Sequence, residues 1–466
     1  MQPLWSFSEL AAALGTRPDG GSATNVTGIS IDTRTLAGGD LFVALKDVRD
    51  GHDFVSAAFK AGAAAALVSE TYERGANDGA LFRVSNTLKG LEALGGAARA
   101  RLGSEARVIA VTGSAGKTGT KEMLRACLAT LGATHASEKS YNNHWGVPLT
   151  LARMPRETLY GVFEIGMNHA GEIRPLTKMV KPHAAIITTV EAVHLEHFPS
   201  VEAIADAKGE IFEGLLPGGV AIVKYENPHA TRLSAIAMRL GAKPLTFGFN
   251  ALADIRGEDL RLTHDGSDMT VRIGDRHFPV HLAMPGRHIA ENALAVAAAL
   301  AAIEADVRKT LAVLADLAPP SGRGARSTLQ IDGGQALLID ESYNANPASM
   351  RAALATLASV PREKFSRRIA VLGDMLELGP DAAALHVGLK GAVEDAEVDL
   401  IFACGPHMKG LYDALPVPKK GGYALMAASL EAILASNLRR GDVIMVKASN
   451  GMRLGPIVSG LKSRFG

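Results

Sequence analysis

Short apolar runs and helical stripes of apolar residues alternate along most of the chain. Short apolar runs bounded by turn residues predict buried β-strands, and apolar residues that repeat every three to four positions predict amphipathic helices. The predicted strands cover residues 108–111, 159–165, 184–190, 220–223, 336–340, 369–372, 399–403 and 443–446. Strands that alternate with helices in this way are typical of an α/β fold with mostly parallel sheets.

Breaks in this alternation predict three domains. The first ~85 residues combine short strands and one alanine-rich helix with turns such as Gly38-Gly39. A polar link at residues 101–107 precedes the long strand–helix alternation, and the run Pro319-Pro320-Ser321-Gly322 interrupts it. Proline and glycine clusters of this kind mark loops. The predicted domains are 1–85, 86–318 and 319–466.

Charge balance, cysteine count and the length of apolar runs disfavour several classes of protein. The chain has 49 Lys+Arg and 48 Asp+Glu, so its bulk charge does not favour binding to nucleic acid or to an anionic membrane. Two distant cysteines, Cys127 and Cys404, predict neither a disulfide framework nor a zinc cluster. The longest small apolar run, 293–303, is shorter than the ~20 residues that span a bilayer. We expect a soluble cytoplasmic protein, and nothing in the sequence requires more than a monomer.

The sequence VTGSAGKTGTKEM, residues 111–123, carries the strongest chemical signal. It follows a short apolar strand and precedes a predicted helix at 121–131, which is the setting of a phosphate-binding loop. Glycines let backbone N–H groups converge on phosphate oxygens, and the helix N-terminus adds partial positive charge. Lys117 would contact the outer phosphates, and Thr118 would hold Mg²⁺. Because Val111 replaces the early glycine of the common motif, a strand-to-helix turn with a solvated lysine is the alternative.

A lysine lies in the middle of an apolar helical stripe. The apolar residues at helical spacing in this segment are Val201, Ile204, Ile211, Phe212 and Leu215. Lys208 falls on the same face, so it either extends its amine to the edge of the stripe or is desolvated. Desolvation lowers the pKa of an amine, and a neutral amine reacts with CO₂ to give a carbamate, an anion that can bind metal. From the residues alone, the extended lysine is the favoured alternative.

Two polar residues near strand ends are candidate metal ligands. Glu164 lies in the apolar sequence GVFEIGM, and His194 follows the strand at 184–190 in EAVHLEHF. A carboxylate and an imidazole, with a carbamate nearby, could hold a second Mg²⁺. Alternatively, each residue is a structural polar group that is hydrogen-bonded at the edge of the sheet. Carboxylates are seldom buried without partners, which favours a functional role for Glu164.

A series of ordered motifs resembles the Mur ligases. The motifs are VTGSAGKTGTKEM, YNNHWGVPLTL, FEIGMNHAGEI, HLEHF, AKGEIFEGL, GRHIAENALA, SGRG, DESYNANPASM and GDMLELG. The resemblance covers nearly the whole chain, including ISIDTRTLAGGDLFVALK and DGHDF near the N-terminus. It implies a first domain that binds the UDP end of a substrate, a central phosphate-loop ATP-binding domain with a parallel sheet, and a C-terminal Rossmann-like domain.

The resemblance also implies an activity. Mur ligases use ATP to form an amide bond through an acyl phosphate. The motifs are most similar to the member that joins D-alanyl-D-alanine to UDP-N-acetylmuramoyl-tripeptide in peptidoglycan precursor synthesis. Two Mg²⁺ sites and a carbamylated lysine at the position of Lys208 follow from the same resemblance. It therefore reverses the preference for the extended conformation of that lysine.

The resemblance assigns roles position by position. The residues expected to bind ATP are Gly113, Ser114, Ala115, Gly116, Lys117, Thr118, Gly119, Asn292, Arg323, Asp340 and Tyr343. The expected metal ligands are Thr118, Glu164, His194 and Lys208. The expected catalytic residues are Lys117, Glu164, His194, Lys208 and Arg323. The residues expected near the substrates are Asp32, Thr33, Arg34, His52, Asp53, Asn142, Asn143, Asn344 and Asn346.

Simpler roles stay open for several of these residues. Asn292, expected at the adenine, could cap a helix that begins at Ala293. Arg323, expected at the γ-phosphate, could be a solvated linker residue, and Asp340 could cap the turn that follows it. Aspartates and glycines in the first domain are also common in turns.

Three departures from the family pattern and several rival functions complete the prediction. Gly119 stands where Ser or Thr is usual, and Asp47 stands where Gly is usual. The segment 222–229 keeps only Asn227-Pro228 of the motif that is usual there. Another Mur ligase or a folylpolyglutamate synthase-like ligase would share the ATP site, although no DNPR-like motif for diaminopimelate is present. A phosphate-loop switch that controls a protein partner would not need Lys208, and a scaffold role would need none of these residues.

Overall fold

The protein is described by a computed structural model that covers residues 3–138, 140–193 and 195–466. In this part of the chain the strands form three large sheets and one two-stranded ribbon, and most neighbouring strands run parallel. Helices connect the parallel strands, as crossover connections require. The predicted α/β class is confirmed.

The N-terminal part contains a five-stranded sheet and the ribbon. Its strands are β1 (Trp5–Ser6), β2 (Pro18–Asp19), β3 (Asn25–Val26), β4 (Gly28–Ser30), β5 (Asp40–Val43), β6 (Ala65–Ser69) and β7 (Ala80–Val84). Its helices are α1 (Phe7–Leu14), α2 (Val55–Lys60) and α3 (Thr87–Ala100), with a 3₁₀ turn at Gly51–Phe54. Strands β4 to β7 are parallel neighbours and bury almost continuous apolar runs, as expected of a sheet covered on both faces.

The central part contains a nine-stranded sheet. Its strands are β8 (Arg107–Thr112), β9 (Thr134–Ala136), β10 (Tyr160–Glu164), β11 (Ala184–Ile187), β12 (Val220–Lys224), β13 (Lys243–Gly248), β14 (Ile255–Leu262), β15 (Ser267–Ile273) and β16 (Arg276–Leu282). Its helices are α4 (Lys117–Ala129), α5 (Gly146–Ala152), α6 (Ile173–Val180), α7 (Val201–Gly209), α8 (Ala230–Arg239), α9 (Arg287–Ala302) and α10 (Val307–Leu311), with 3₁₀ turns at Glu210–Gly214 and Ala312–Ala315.

The strand order of the central sheet fixes where a ligand can bind. Strand β8 lies between β10 and β11, and all three run parallel. The chain therefore leaves β8 to one side first and returns on the other, which makes its carboxyl end a topological switch point. The glycine-rich sequence that follows Thr112 lies at this point.

The C-terminal part contains a six-stranded sheet. Its strands are β17 (Ala325–Ile331), β18 (Gly334–Glu341), β19 (Arg367–Gly373), β20 (Leu400–Cys404), β21 (Lys420–Ala424) and β22 (Asp442–Lys447). Its helices are α11 (Pro347–Ala358), α12 (Ala382–Val387), α13 (Lys390–Asp395), α14 (Met408–Asp413), α15 (Ala427–Asn437) and α16 (Gly455–Phe465), with 3₁₀ turns at Gly379–Asp381, Val417–Lys419 and Asn450–Met452. Only the edge pair β17–β18 is antiparallel within this sheet.

The N-terminal and central parts share an apolar core, whereas the C-terminal part has cores of its own. One cluster of buried residues runs from Phe82 of the N-terminal sheet through Leu91 of α3 to Val108 of the central sheet. Arg101 reinforces this junction: its guanidinium lies 3.8 Å from the centre of the Trp5 ring and donates to the carbonyl of Met154. The C-terminal part has its own clusters. The domain boundaries derived from the sequence stay predictions.

The observed helices and strands match the predicted ones more closely in type than in the positions of their ends. Every predicted strand is present, with ends shifted by one to three residues. Helix α4 begins at Lys117 rather than 121, because its first turn carries polar residues that face the glycine-rich loop. The stripe around Lys208 is helical only to Gly209 and then tightens into a 3₁₀ turn. The antiparallel strands β14 to β16 were not predicted.

No helix in the described part of the chain is long and apolar enough to cross a membrane. The longest helix, α9, packs its apolar residues against α4 and the central sheet.

A matched pair of leucines tests the position of the central core. Leu294 of α9 is fully buried, whereas Leu252 is 74% exposed. Leu294→Ala should lower the free energy of unfolding by about 2–5 kcal/mol because it leaves a cavity in a packed core. Leu252→Ala should change it by less than about 0.5 kcal/mol. Denaturant unfolding of both variants measures the difference, and equal effects would contradict the packing described for α9.

Candidate functional site

The loop between β8 and α4 has a backbone that only glycine adopts readily. Gly113 has φ +149° and Gly116 has φ +82°. A Cβ atom at Gly113 would lie 1.9 Å from the Thr188 hydroxyl, and one at Gly116 would lie 2.5 Å from Oδ1 of Asn292. These glycines therefore allow both the turn and the close approach of two neighbouring segments.

The loop ends at the N-terminus of α4, where backbone N–H groups are free to bind an anion. The Lys117 ammonium folds back over the loop and donates to the carbonyl of Gly113 at 2.7 Å. Burial lowers the pKa of Lys117, while the nearby charges of Glu164 and Arg323 act in opposite directions. The strand–loop–helix arrangement is one that can bind phosphate, and Lys117 is held by the loop, unlike the freely solvated lysine of the alternative.

Glu164 ends β10 beside this loop and is 1% exposed. Its carboxylate accepts a hydrogen bond from the Thr118 hydroxyl and another from the Asn142 amide, each at 2.8 Å. Carboxylate oxygens are hard ligands, so Glu164 is suited to contact a cation here. The structure thus brings together three residues that the sequence placed in the metal and substrate sites.

Lys208 is buried in α7 and is 2% exposed, so the extended conformation predicted as an alternative is wrong. Burial and the nearby charge of Lys117 lower the pKa of Lys208 well below its usual range. Among the described residues, its ammonium group has no hydrogen-bond or ion-pair partner. Burial of this kind disfavours the charged form of a lysine.

The C-terminal part closes one side of a cleft of about 790 Å³ over the loop. Arg323 enters it with its guanidinium 4.2 Å from the centre of the Tyr343 ring. The Asn346 amide lies 3.5 Å from the carbonyl of Ser114, across the cleft. Arg323 is therefore not the solvated linker residue considered as an alternative.

Most residues predicted to bind ATP line the cleft. Those that do so are Ser114, Ala115, Gly116, Lys117, Thr118, Gly119, Asn292, Arg323 and Tyr343. Asn292 lies within α9 rather than at its start, so the helix-cap alternative is wrong. Asp340 lies outside the cleft lining and accepts hydrogen bonds from Gly322 and Ser342, as the turn-capping alternative expects.

The predicted substrate residues divide into two groups. Asn142, Asn344 and Asn346 line the cleft, whereas Asn143 caps the turn before α5 through a hydrogen bond from the backbone of Gly146. The N-terminal residues Asp32, Thr33, Arg34, His52 and Asp53 lie outside the cleft lining among the described residues.

Two of those N-terminal residues already have local partners. The Asp32 carboxylate accepts from the backbone and side chain of Arg34. His52 uses both ring nitrogens, one with Asp50 at 2.5 Å and the other accepting from the backbone of Ser69. Their predicted substrate roles stay predictions. His194, predicted as a metal ligand, lies outside the described residues.

Two buried lysines were missed by sequence reasoning although their signals were present. Lys121 is fully buried, donates to the carbonyl of Ser137 at 2.7 Å, and shares the apolar face of Leu124 on α4. Lys447 is the last residue of β22, after four apolar residues, and lines the cleft. The reasoning that singled out Lys208 and Glu164 applies equally to these two positions.

The fold and the cleft define a phosphate-loop nucleotide-binding protein of the three-domain α/β type. Three family models match along the chain: "Mur ligase family, catalytic domain" at residues 25–77, "Mur ligase middle domain" at 111–300, and "Mur ligase, glutamate ligase domain" at 322–450. The chain belongs to the Mur ligase family.

Characterised relatives match over nearly their full length. The UDP-N-acetylmuramoyl-tripeptide–D-alanyl-D-alanine ligase of Escherichia coli is 35% identical and covers 98% of each chain. The protein of that name from Rickettsia prowazekii is 31% identical and covers 98% of this chain and 99% of its own.

Solved structures also match the chain over nearly its full length. MurF from Acinetobacter baumannii superposes with a TM-score of 0.85 at 28% identity over 99% of each chain. MurF ligase from Thermotoga maritima, in complex with ADP, gives a TM-score of 0.77 at 25% identity over 94% of this chain and 98% of its own.

Gly113→Ala tests the loop. The added Cβ meets the Thr188 hydroxyl in a backbone conformation that alanine rarely adopts, so the loop must shift away from the phosphates. We expect affinity for ATP to fall by at least about 100-fold, measured by calorimetric titration. Gly103→Ala is the control, because nothing lies within 4 Å of its added Cβ. Unchanged ATP affinity in a folded Gly113→Ala variant would contradict the assignment.

Proposed function

We propose that this chain is an ATP-dependent amide ligase that joins D-alanyl-D-alanine to UDP-N-acetylmuramoyl-tripeptide in peptidoglycan precursor synthesis. The observation that carries the proposal is the match, over nearly its full length, to relatives named for this reaction, each about one-third identical. The cleft lined by residues 114–119 would supply the nucleotide site that such a reaction needs.

The chemistry explains why the cleft is rich in buried cations. A carboxylate is a poor electrophile, so transfer of the γ-phosphoryl group of ATP to the tripeptide carboxylate makes an acyl phosphate first. The dipeptide amine then attacks its carbonyl carbon, and phosphate leaves. Carboxylate and triphosphate repel each other, and Lys117 and Arg323 would offset that repulsion as charge develops on the transferred group.

Lys117 and Arg323 lie on opposite sides of the cleft. Domain closure would therefore bring the two cations together around the phosphates. Lys117 follows the phosphate loop, whereas Arg323 precedes the first strand of the C-terminal sheet. Closing the cleft would add Arg323 to the phosphate site and shield the acyl phosphate from water.

The residues beside the loop fit a Mg²⁺ ion. Thr118 and Glu164 offer a hydroxyl and a carboxylate oxygen, which are the hard ligands that Mg²⁺ prefers. No group of three or more His, Cys, Asp or Glu side chains among the described residues could hold a metal alone. Mg²⁺ commonly takes its remaining ligands from phosphate and water. When bound there, Mg²⁺ would offset the negative charge of the phosphates.

We propose that the Lys208 amine carries a CO₂-derived carbamate. Neutral amine and CO₂ combine to a carbamate with release of one proton, so that a buried amine without a partner among the described residues becomes an anion. The carbamate, Glu164 and His194 would then be the ligands of a second Mg²⁺. The N-terminal substrate residues, the cytoplasmic location and the monomeric state stay predictions.

Phosphate release tests the proposed activity. With ATP, Mg²⁺ and UDP-N-acetylmuramoyl-tripeptide present, D-alanyl-D-alanine should stimulate phosphate release well above the rate with glutamate or diaminopimelate. The expected product is the UDP-linked pentapeptide, identified by mass spectrometry. Turnover driven by a single amino acid would contradict the proposal and favour another ligase of the family. Tight nucleotide retention without any amine-dependent turnover would favour a switch.

Lys208→Ala tests the carbamate. We expect a loss of activity of at least about 100-fold, because the variant lacks a metal-binding anion. A short carboxylic acid should restore part of it by occupying the vacated space. The independent readout is the mass of one CO₂ on the native protein, or its density on Lys208 in crystals. Full activity of the variant, or a bare amine in active crystals, would refute the carbamate.

A further inference from the structure

The C-terminal wall of the cleft holds a buried lysine to which the phosphoryl-transfer step gives no role. Lys447 ends β22 and is 3% exposed, yet it lines the cleft. Its ammonium donates to the carbonyl of Asn344 at 2.9 Å and lies 3.3 Å from Oε2 of Glu341. An ammonium group has three N–H bonds, so these contacts leave one for a ligand.

The position of Lys447 in the sheet is one at which ligands are bound. Glu341 and Lys447 are paired residues at the carboxyl ends of the parallel strands β18 and β22, and open α/β sheets bind ligands at that edge. A buried ammonium is costly unless it is well paired. Its single carboxylate partner, at 3.3 Å, leaves it able to attract a second anion.

The other cations on this side of the cleft are less suited to bind a small anion. Arg323 stacks on Tyr343 and is assigned to the γ-phosphate. Arg351 also lines the cleft but is exposed to solvent, where charge–charge interactions are weak. Lys447 is thus the buried cation of the C-terminal wall with no assigned ligand.

Lys447 belongs to a different wall of the cleft from the phosphate loop. Burial lowers the pKa of Lys447, whereas its contact with Glu341 raises it. Lys117 belongs to the phosphate loop, whereas Lys447 fixes the carbonyl of Asn344, in the segment after β18. A dipeptide held here would sit on the opposite wall from the phosphates, with its amine free to face them.

We propose that Lys447 binds the C-terminal carboxylate of the incoming dipeptide. This inference rests on the proposed function, and it makes Lys447 a residue that selects acceptors with a free carboxylate. The amine that attacks must be neutral and unhindered, so anchoring the opposite, anionic end orients the nucleophile without blocking it. A charge-assisted hydrogen bond in a buried wall gives the strength for this selection.

The test compares two dipeptides that differ in one charge. D-alanyl-D-alanine and its C-terminal carboxamide have the same shape, but only the first carries a carboxylate. With native protein, kcat/KM for the acid should exceed that for the amide by about 10-fold to 150-fold, the range expected for one hydrogen bond to a charged group. In Lys447→Met this ratio should fall to near one, mainly through a higher KM for the acid.

Two further variants keep the test decisive. Lys447→Met/Glu341→Gln removes both charges of the pair, so it avoids an unpaired buried carboxylate and should show the same loss of preference. Lys224→Met is the matched control, because Lys224 lines the central wall of the cleft and pairs with Glu291 at 2.8 Å. Its effect should be equal for acid and amide, which leaves the ratio unchanged.

The outcomes distinguish a failure of this inference from a failure of the proposed function. A native protein that turns over the acid and the amide equally well overturns the role of Lys447, as does a folded Lys447 variant that keeps the preference. A native protein that turns over neither dipeptide, while remaining able to bind ATP, overturns the proposed function itself.

Discussion

The structure depends on a short backbone segment that cannot carry side chains at two positions. At Gly113 and Gly116 the loop after β8 lies against Thr188 and Asn292 so closely that a single methyl group would collide with either. This close packing joins the loop to the segment after β11 and to helix α9. Because β8 lies where the strand order of the central sheet reverses, all three segments meet at one end of the sheet. The geometry of the nucleotide site is therefore a consequence of topology and glycine together.

Around this loop the protein holds cations that have few anionic partners. Lys117 donates to a carbonyl group, and Lys447 pairs with one carboxylate at 3.3 Å. Burial of such groups is unfavourable for folding. A site that must bring a triphosphate, a carboxylate and a zwitterionic dipeptide together needs this charge, so the unfavourable burial is offset when the anionic substrates bind.

The sequence predicted chemistry where a polar residue interrupted an apolar pattern, and this covered much of the site. Glu164 and Lys208 were found in this way, the loop at 113–119 was found from its glycine-rich motif, and the structure places these residues close together. Prediction from the sequence failed where no polar residue interrupted an apolar pattern. The strands β14 to β16 alternate buried and exposed residues in a stretch of the chain dominated by parallel strands, and they were not predicted.

The roles of other predicted site residues could not be settled from the sequence, because some of their partners are distant in sequence. Asp340 faces Gly322 and Ser342 rather than the cleft, and His52 is held by Asp50 and Ser69. No local pattern distinguishes an aspartate that caps a turn from one that meets a ligand. The choice depends on which backbone groups the fold brings within hydrogen-bond distance.

The continuous core between the N-terminal and central sheets has a mechanical consequence. Phe82, Leu91 and Val108 share one apolar cluster, and Arg101 ties Trp5 to the carbonyl of Met154. Relative sliding of these two parts would expose that cluster to water. The C-terminal part has its own clusters and is joined through the proline-rich segment at 319–322. The proposed domain closure would therefore divide the molecule into two rigid pieces, one that carries both the nucleotide loop and the N-terminal sheet and one that carries Arg323 and Lys447.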